Sequence, residues 1–268
     1  MPEGLTLGSP STVRVAGIVL KWIRGDKQQN YDRFEAMARQ AAAEGADLIC
    51  STECFLDGYA IKDKSIPADR YYAMGEKIPG GEYYNKLANL AKELGVFLAA
   101  GIHEIDGPTQ YNAAVLIDCQ GQLAGKYHKH KLGHEDMRHT PGNDYPSFAT
   151  SFGTVGMMIC ADRSRPVLIQ GLCDNGADVI ICLSGGAFGP RNDLAMQNSA
   201  QVYGRYIVFV HPAQFLVTAP DGSISKNHML GDLSLPKGIR YDQLFVLPDE
   251  IGTDTDRGGV FNFDLPMG

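Results

Sequence analysis

The chain has 268 residues, 44% hydrophobic and 21% charged, an ordinary globular composition long enough for a large core in one α/β domain. Its formal net charge is −7 with no basic block, so no nucleic-acid partner is expected. No apolar run is long enough to span a bilayer, and the N-terminus lacks a basic stretch followed by an apolar one, so neither a membrane partner nor a secretory signal is expected.

Residues 1–11 read as a loose leader. Val13 to Leu20 is the first strand candidate. Asp26 precedes a helical pattern with Tyr31, Phe34, Ala38, Ala41 and Ala42 on one face, stopped at Gly45. Ala46 to Ser51 reads as a second strand, with Glu53 just beyond its end, where open α/β sheets gather functional groups. A polar loop around Gly58-Tyr59 leads to a helix marked by Tyr84, Leu87, Ala88, Ala91 and Leu94 and stopped by Gly95. Val96 to Ile102 is a third strand. Ala113 to Ile117 and Gln122 to Tyr127 flank Asp118-Cys119-Gln120-Gly121 as a hairpin. Lys126 to Tyr145 is polar and aperiodic, and a long irregular segment inside a compact domain is usually functional.

Thr154 to Ile159 is an apolar run that ends at Cys160, and Pro166 opens an apolar segment closing at Asn175-Gly176. Cys160 is therefore expected at a strand-to-helix turn, where backbone N–H groups favour an anion. Val179 to Leu183 precedes Ser184-Gly185-Gly186; a helix around Asp193 to Tyr203 leads into Ile207 to Val210. Phe215 to Thr218 and Ser223 to Ser225 flank Ala219-Pro220-Asp221-Gly222 as a second hairpin. From about residue 226 the chain reads as loop-rich, until Gly259 to Phe263 alternates like an edge strand. The six cysteines, at 50, 54, 119, 160, 173 and 182, are scattered, which suits reduced thiols in the cytoplasm better than a disulfide framework.

Three residues form a coherent chemical set: an acid after an early strand (Glu53), a lysine after a hairpin (Lys129) and a cysteine after a central strand (Cys160). A thiol needs a base to become a thiolate, and a nearby carboxylate can serve. An ammonium beside both would stabilise the thiolate and later a tetrahedral oxyanion, with the backbone N–H of Ala161 as a second donor. The set requires no metal and no organic cofactor. His128, His130, His134 and His139 match no common zinc spacing.

Ser51-Thr52-Glu53-Cys54-Phe55-Leu56-Asp57-Gly58-Tyr59, Gly125-Lys126-Tyr127-His128-Lys129-His130-Lys131-Leu132 and Gly156-Met157-Met158-Ile159-Cys160-Ala161-Asp162-Arg163 occur in that order. In these motifs nearly the whole chain resembles the nitrilase superfamily of carbon–nitrogen hydrolases. The resemblance implies a four-layer α-β-β-α sandwich, a single hydrolase domain over residues 1–268 and assembly into homodimers or larger homo-oligomers. It also implies Glu53, Lys129 and Cys160 as catalytic residues. A second family glutamate precedes a Pro-Gly pair; Glu135, ahead of Pro141-Gly142, matches it, with Asp136 as its rival. Tyr59, which closes the glutamate motif, is taken as substrate-binding.

Two departures bear on the substrate. Nitrilases proper carry Trp-Glu after the cysteine, and Ala161-Asp162 stands here, which disfavours nitrile hydrolysis. A later Arg-Ala-x-Glu-Asn pattern is replaced by Gln201-Val202-Tyr203-Gly204-Arg205. Cys-x-Asp-Arg resembles N-carbamoyl amino acid amidohydrolases, in which arginines near the nucleophile hold a carboxylate; Arg163 and Arg165 are the candidates, and an internal salt bridge is the other reading of each. Ser184 and Gly185 either line the substrate pocket or form a tight turn. The resemblance thus implies a cysteine-dependent hydrolase of a small amide or N-carbamoyl substrate, passing through a thioester and releasing ammonia. Acyl transfer to an amine, and a catalytically silent scaffold or binding protein of the same fold, are the alternatives.

Overall fold

The structure is a computed structural model that describes residues 12–133, 138–230 and 258–267. The chain runs β1 (Thr12–Leu20), α1 (Lys27–Ala43), β2 (Leu48–Cys50), α2 (Ala68–Tyr72), α3 (Glu82–Leu94), β3 (Phe97–Asp106), β4 (Thr109–Ile117), β5 (Leu123–His128) and β6 (Ser147–Thr150). It continues with β7 (Gly153–Ile159), α4 (Pro166–Asp174), β8 (Val179–Leu183), α5 (Pro190–Tyr203), β9 (Tyr206–His211), β10 (Gln214–Thr218), β11 (Ile224–Met229) and β12 (Gly258–Pro266).

Two six-stranded sheets result, ordered β12-β1-β2-β3-β4-β5 and β11-β10-β9-β8-β7-β6. In the first, β1, β2 and β3 are parallel; in the second, β7, β8 and β9 are. β1 faces β9 and β10 across the interior, and β4 faces β7, so the sheets stack face to face. α1 and α3 cover the outer face of the first sheet, and α4 and α5 that of the second. This is the four-layer α-β-β-α sandwich that the resemblance implies.

Local chemistry explains the elements. Asp26 caps α1 by accepting the Gln29 N–H at 2.9 Å, and Tyr31, Phe34, Ala38 and Ala41 are its buried stripe. Gly95 ends α3 in the left-handed region at φ 68°, where a side chain would be strained. The strands β2, β7 and β8 are apolar because helices or the partner sheet cover both their faces.

Several segments differ from the sequence reading. β3 runs on to Asp106 and turns at Gly107 into β4, because the polar residues 103–112 still pair in register, Ile102 with Ala113 through Asp106 with Thr109. β2 is shorter than expected: at Asp47 the carboxylate, not a backbone carbonyl, accepts the Arg14 N–H, while the Asp47 backbone still bonds to Arg14 and Phe97. The short helix α2 lies in a segment read as loop, and β6 was not anticipated. β11 extends past residue 226, and β12 pairs, among the described residues, on one side only, with β1, as the expected edge strand. The leader 1–11 and residues 231–257 lie outside the described residues.

The sheets touch closely where Gly17 of β1 meets Phe215 of β10: a Cβ on Gly17 would stand 2.1 Å from the Phe215 ring. His211 closes β9 fully buried; its Nε2–H donates to the Gly186 carbonyl at 2.9 Å, and its Nδ1 accepts the Ala213 N–H at 3.1 Å. Burial pushes its pKa down to about 3, against the pull of the Gly186 carbonyl and with help from the charge of Arg163.

Two measurements check this packing. Phe215→Ala should cost about 3–5 kcal/mol in urea unfolding, since the ring fills the only space Gly17 leaves; a loss under about 1 kcal/mol would mean the sheets collapse onto the gap. His211 is neutral when folded and titrates near its ordinary value of about 6.5 when unfolded. Its stabilisation is therefore complete above that value and is lost as pH falls towards about 3. The stability difference between wild type and His211→Gln should shrink by about 2 kcal/mol between about pH 8 and about pH 5. Parallel pH profiles would contradict a neutral His211.

Candidate active site

The carboxyl ends of the strands place the expected residues together. β5 is antiparallel to β4, and β4 to β3, so β5 points the same way as β1, β2 and β3. Trp22, Glu53 and Lys129 follow β1, β2 and β5 on one sheet. Cys160, Ser184 and the end of His211 follow or close β7, β8 and β9 on the other.

Glu53 and Lys129 are both buried, 0% and 1% exposed, and Lys129 Nζ donates to Glu53 Oε1 at 2.7 Å. Asn112 Nδ2 donates to the same oxygen at 2.8 Å, and Asn112 Oδ1 accepts from Cys54 Sγ at 3.3 Å. The loop carrying Glu53 lies flat on β3. A Cβ on Gly101 would stand 2.5 Å from the Thr52 carbonyl and 2.8 Å from Glu53 Cα, which is why glycine occupies that position. Ser51 Oγ accepts the Gly101 N–H at 2.9 Å and the Phe55 N–H donates to the Gly101 carbonyl at 3.2 Å, fixing both sides of the loop.

Cys160 sits at the expected turn, which is 3₁₀ over Cys160–Ser164, with its own φ at 47°. Holding a side chain in the left-handed region costs on the order of 1–3 kcal/mol and aims the thiol out of the strand. The loop after β8 forms the facing wall. A Cβ on Gly186 would stand 2.9 Å from Cys160 Sγ, and one on Gly185 would stand 3.2 Å from Glu53 Oε2 and 2.8 Å from the Trp22 ring. Consecutive glycines therefore face the Glu53 carboxylate and the Cys160 thiol, about 3.8 Å apart along the chain. The Glu53 N–H donates to the Ser184 carbonyl at 3.4 Å, and the buried Ser184 hydroxyl has no hydrogen-bond partner among the described residues.

Asp162 joins the two halves. Fully buried, it accepts from Tyr127 Oη at 2.8 Å, the Lys131 N–H at 2.7 Å, the His130 N–H at 3.2 Å and the Ile159 N–H at 3.1 Å. The segment holding Lys129 is thus tied to the turn holding Cys160. Burial raises the Asp162 carboxyl above its usual range, while the Lys131 N–H, the Tyr127 hydroxyl and the charge of Lys129 oppose it. Burial and the charge of Asp162 together hold the Tyr127 phenol well above its ordinary value.

The remaining expected residues divide. Arg163 Nη1 donates to the Cys160 carbonyl and lies 3.6 Å from Cys160 Sγ, and its Nη2 donates to the Ala187 carbonyl at 2.9 Å. Arg165 is exposed and its backbone N–H donates to the Asp162 carbonyl; no salt bridge of either arginine occurs among the described residues. Tyr59 is buried against Trp22, ring centroids 5.4 Å apart, in the left-handed region at φ 55°. Ala161 is the half-buried second residue of the turn. Glu135 and Asp136 lie outside the described residues. Among the described residues no group of three or more His, Cys, Asp or Glu could hold a metal ion.

Sequence reasoning missed Asn112 and His211 and saw Asp162 only as a departure from a motif. Asn112 is the last polar residue of β4 before the apolar run Ala113 to Ile117, the one signal that could have marked it. His211 ends an apolar strand much as Cys160 does.

The Carbon-nitrogen hydrolase family model matches residues 13–229. The chain is 30% identical over 220 residues to the omega-amidase NIT2 of Homo sapiens, covering 76% of each protein. It is 34% identical over 157 residues to a nitrilase of Pyrococcus abyssi, and spans 58% of that protein's length. In three dimensions it resembles an amidase from Nesterenkonia sp., with a TM-score of 0.74 at 18% identity over 99% of this chain and 94% of that one. It also resembles Saccharomyces cerevisiae Nit3, with a TM-score of 0.73 at 23% identity over 84% and 88%. The family match extends over more than half of the sequence, from β1 to the end of β11, and on it the chain belongs to the carbon-nitrogen hydrolases of the nitrilase superfamily.

Proposed function

We propose that this hydrolase is a cysteine-dependent amidase acting on a small, non-peptide amide. The observation that carries the reading is the buried Glu53–Lys129 pair at 2.7 Å, facing a thiol on a left-handed turn across two consecutive glycines. Glu53 takes the Cys160 proton, and the thiolate attacks the carbonyl carbon. Lys129 Nζ and the Ala161 N–H receive the oxyanion. Collapse breaks the C–N bond as Glu53 returns the proton to departing ammonia, leaving a thioester on Cys160. Glu53 then deprotonates water, whose attack releases the acid and restores the thiol. Each step uses a residue already positioned at the site and asks for no metal or organic cofactor.

An amide is favoured over a nitrile because Ala161-Asp162 stands where nitrilases carry Trp-Glu. A plain amide is favoured over a carboxylate-bearing N-carbamoyl substrate, because Arg163 already gives its two Nη groups to the Cys160 and Ala187 carbonyls. Ser184, Gly185 and Tyr59 would line the substrate space. The same reading takes the chain to act as a homo-oligomer in the reducing cytoplasm. Its six cysteines are free, and Val167, Leu194 and Val202 present apolar side chains 61%, 59% and 74% exposed on α4 and α5.

Ammonia release across a panel of small amides, nitriles and N-carbamoyl amino acids tests the reading. Cys160→Ala should lower kcat by about 10⁴-fold or more, whereas Cys119→Ala and Cys173→Ala should stay within about twofold. An equal loss from either of those two, with folding preserved, would sink the nucleophile assignment. Asn112→Ala should lower kcat about 10- to 100-fold with little change in KM, because it frees the Glu53 carboxylate that chemistry uses, not the substrate site. Preference for N-carbamoyl amino acids over their neutral amide analogues would restore the carboxylate role of Arg163.

A further inference from the structure

Arg163 is a half-buried cation whose polar partners among the described residues are two carbonyl oxygens and one sulfur. It makes no salt bridge there. The other charged groups of the site are already matched: Lys129 is paired with Glu53, and Asp162 is satisfied by four donors. A cation withdrawn from water without a counter-ion is costly. The atom positioned to balance it is Cys160 Sγ, 3.6 Å from Nη1 and within reach of a sulfur hydrogen bond.

We propose that Arg163 is a catalytic residue for the nucleophile: its guanidinium is the counter-ion of the Cys160 thiolate. The inference rests on Cys160 being the nucleophile and assigns Arg163 a task other than holding a substrate carboxylate. When the thiol proton moves to Glu53, the S–H bond breaks, an O–H bond forms and the negative charge passes from carboxylate to sulfur. Lys129 faces the oxygen that the charge leaves, so by itself it opposes the transfer. Arg163 faces the sulfur where the charge arrives. Its Nη1 also holds the Cys160 carbonyl, which fixes the left-handed backbone that aims the sulfur. Its Nη2 holds Ala187, and the guanidinium lies 5.8 Å from the Phe209 ring centroid, so it cannot swing away without loosening the wall behind Gly186.

The electrostatics run the same way. Burial opposes the Arg163 charge, yet Cys160 first, then Cys182 and at longer range Glu53, hold its pKa above the ordinary value. The titratable and charged groups around the sulfur are Glu53, Lys129, Asp162, Cys182 and His211. Of these, His211 is kept neutral by burial, and burial holds the Cys182 thiol protonated.

Iodoacetamide alkylation of the intact protein, mapped by mass spectrometry and followed against pH, tests this without any substrate. Wild type should be alkylated at Cys160 well ahead of the other five cysteines. Arg163→Gln should slow that reaction roughly tenfold or more at neutral pH, with the rate rejoining wild type at alkaline pH, and Arg163→Lys should fall between them. Equal rates at neutral pH, or slowing by one factor at every pH, would overturn the proposal. Should Arg163→Gln fail to fold, Arg163→Lys decides it: alkylation slower than wild type at neutral pH and equal at alkaline pH supports the ion pair, and an unchanged pH profile refutes it. If wild type is not selectively alkylated at Cys160, the amidase reading falls with it. If wild type is alkylated and releases ammonia but Arg163→Gln behaves identically, the ion pair alone is wrong.

Discussion

The architecture turns on one buried ion pair. A carboxylate and an ammonium, each removed from water, are stable only in good geometry and with their remaining hydrogen-bonding capacity used. Glu53 and Lys129 follow β2 and β5 of one sheet, lie 76 residues apart in sequence, and meet at 2.7 Å. Three strand pairings, β2 with β3, β3 with β4 and β4 with β5, must hold their register for them to meet at all. The Glu53 loop is pressed onto β3 at Gly101, Lys129 is held by the Asn112 and Gly142 backbone, and the Asn112 side chain supplies a further donor to Glu53. The second sheet closes over the pair and gives it its low dielectric. The pair contributes little to stability on that accounting. Its consequence is that a full charge separation stands ready in a site from which solvent is excluded.

Asp162 does for the two sheets what Asn112 does within one. Its four donors come from the strand before Lys129, from the loop after it and from the strand before Cys160. A shorter acid suits this position because the carboxylate reaches back to the Ile159 N–H three residues earlier. One side chain therefore ties the segment of Lys129 to the turn of Cys160.

The sheets and the placement of Glu53, Lys129 and Cys160 at strand ends were legible in the sequence because both rest on local signals. Apolar runs bounded by Gly and Pro marked strands and helices, and Glu53, Lys129 and Cys160 each stood just past the end of such a run. What escaped notice depends on pairing between distant segments. The polar residues between Ile102 and Ala113 hide a strand turn at Gly107, since their ladder satisfies backbone groups without an apolar pattern. Asn112 is one polar residue in a strand until Glu53 is placed opposite it. His211 is an ordinary strand-end histidine until Gly186, 25 residues away, is brought to its Nε2. Arg163 could be recognised as important three residues after a cysteine, but its second carbonyl partner, Ala187, lies in a loop that no spacing rule points to.

The backbone shows where the fold accepts strain. Among the described residues other than glycine, only Cys54, Tyr59 and Cys160 have positive φ, at 43°, 55° and 47°. Two follow Glu53 in its loop and the third is Cys160, so the disfavoured conformations lie at the candidate site and not in the remaining scaffold. Each is held by contacts that relaxation would break: Cys54 by its bond to Asn112, Tyr59 by Trp22 and by Arg24 at its carbonyl, Cys160 by Arg163 at its own. Glycines at 101, 185 and 186 admit the resulting close approaches. At roughly 1–3 kcal/mol each, the three conformations cost a sizeable part of a typical domain's net stability. The four-layer core outside the site offsets that cost, and it lets a thiol and a carboxylate face each other across bare backbone, where relaxed loops would leave them apart.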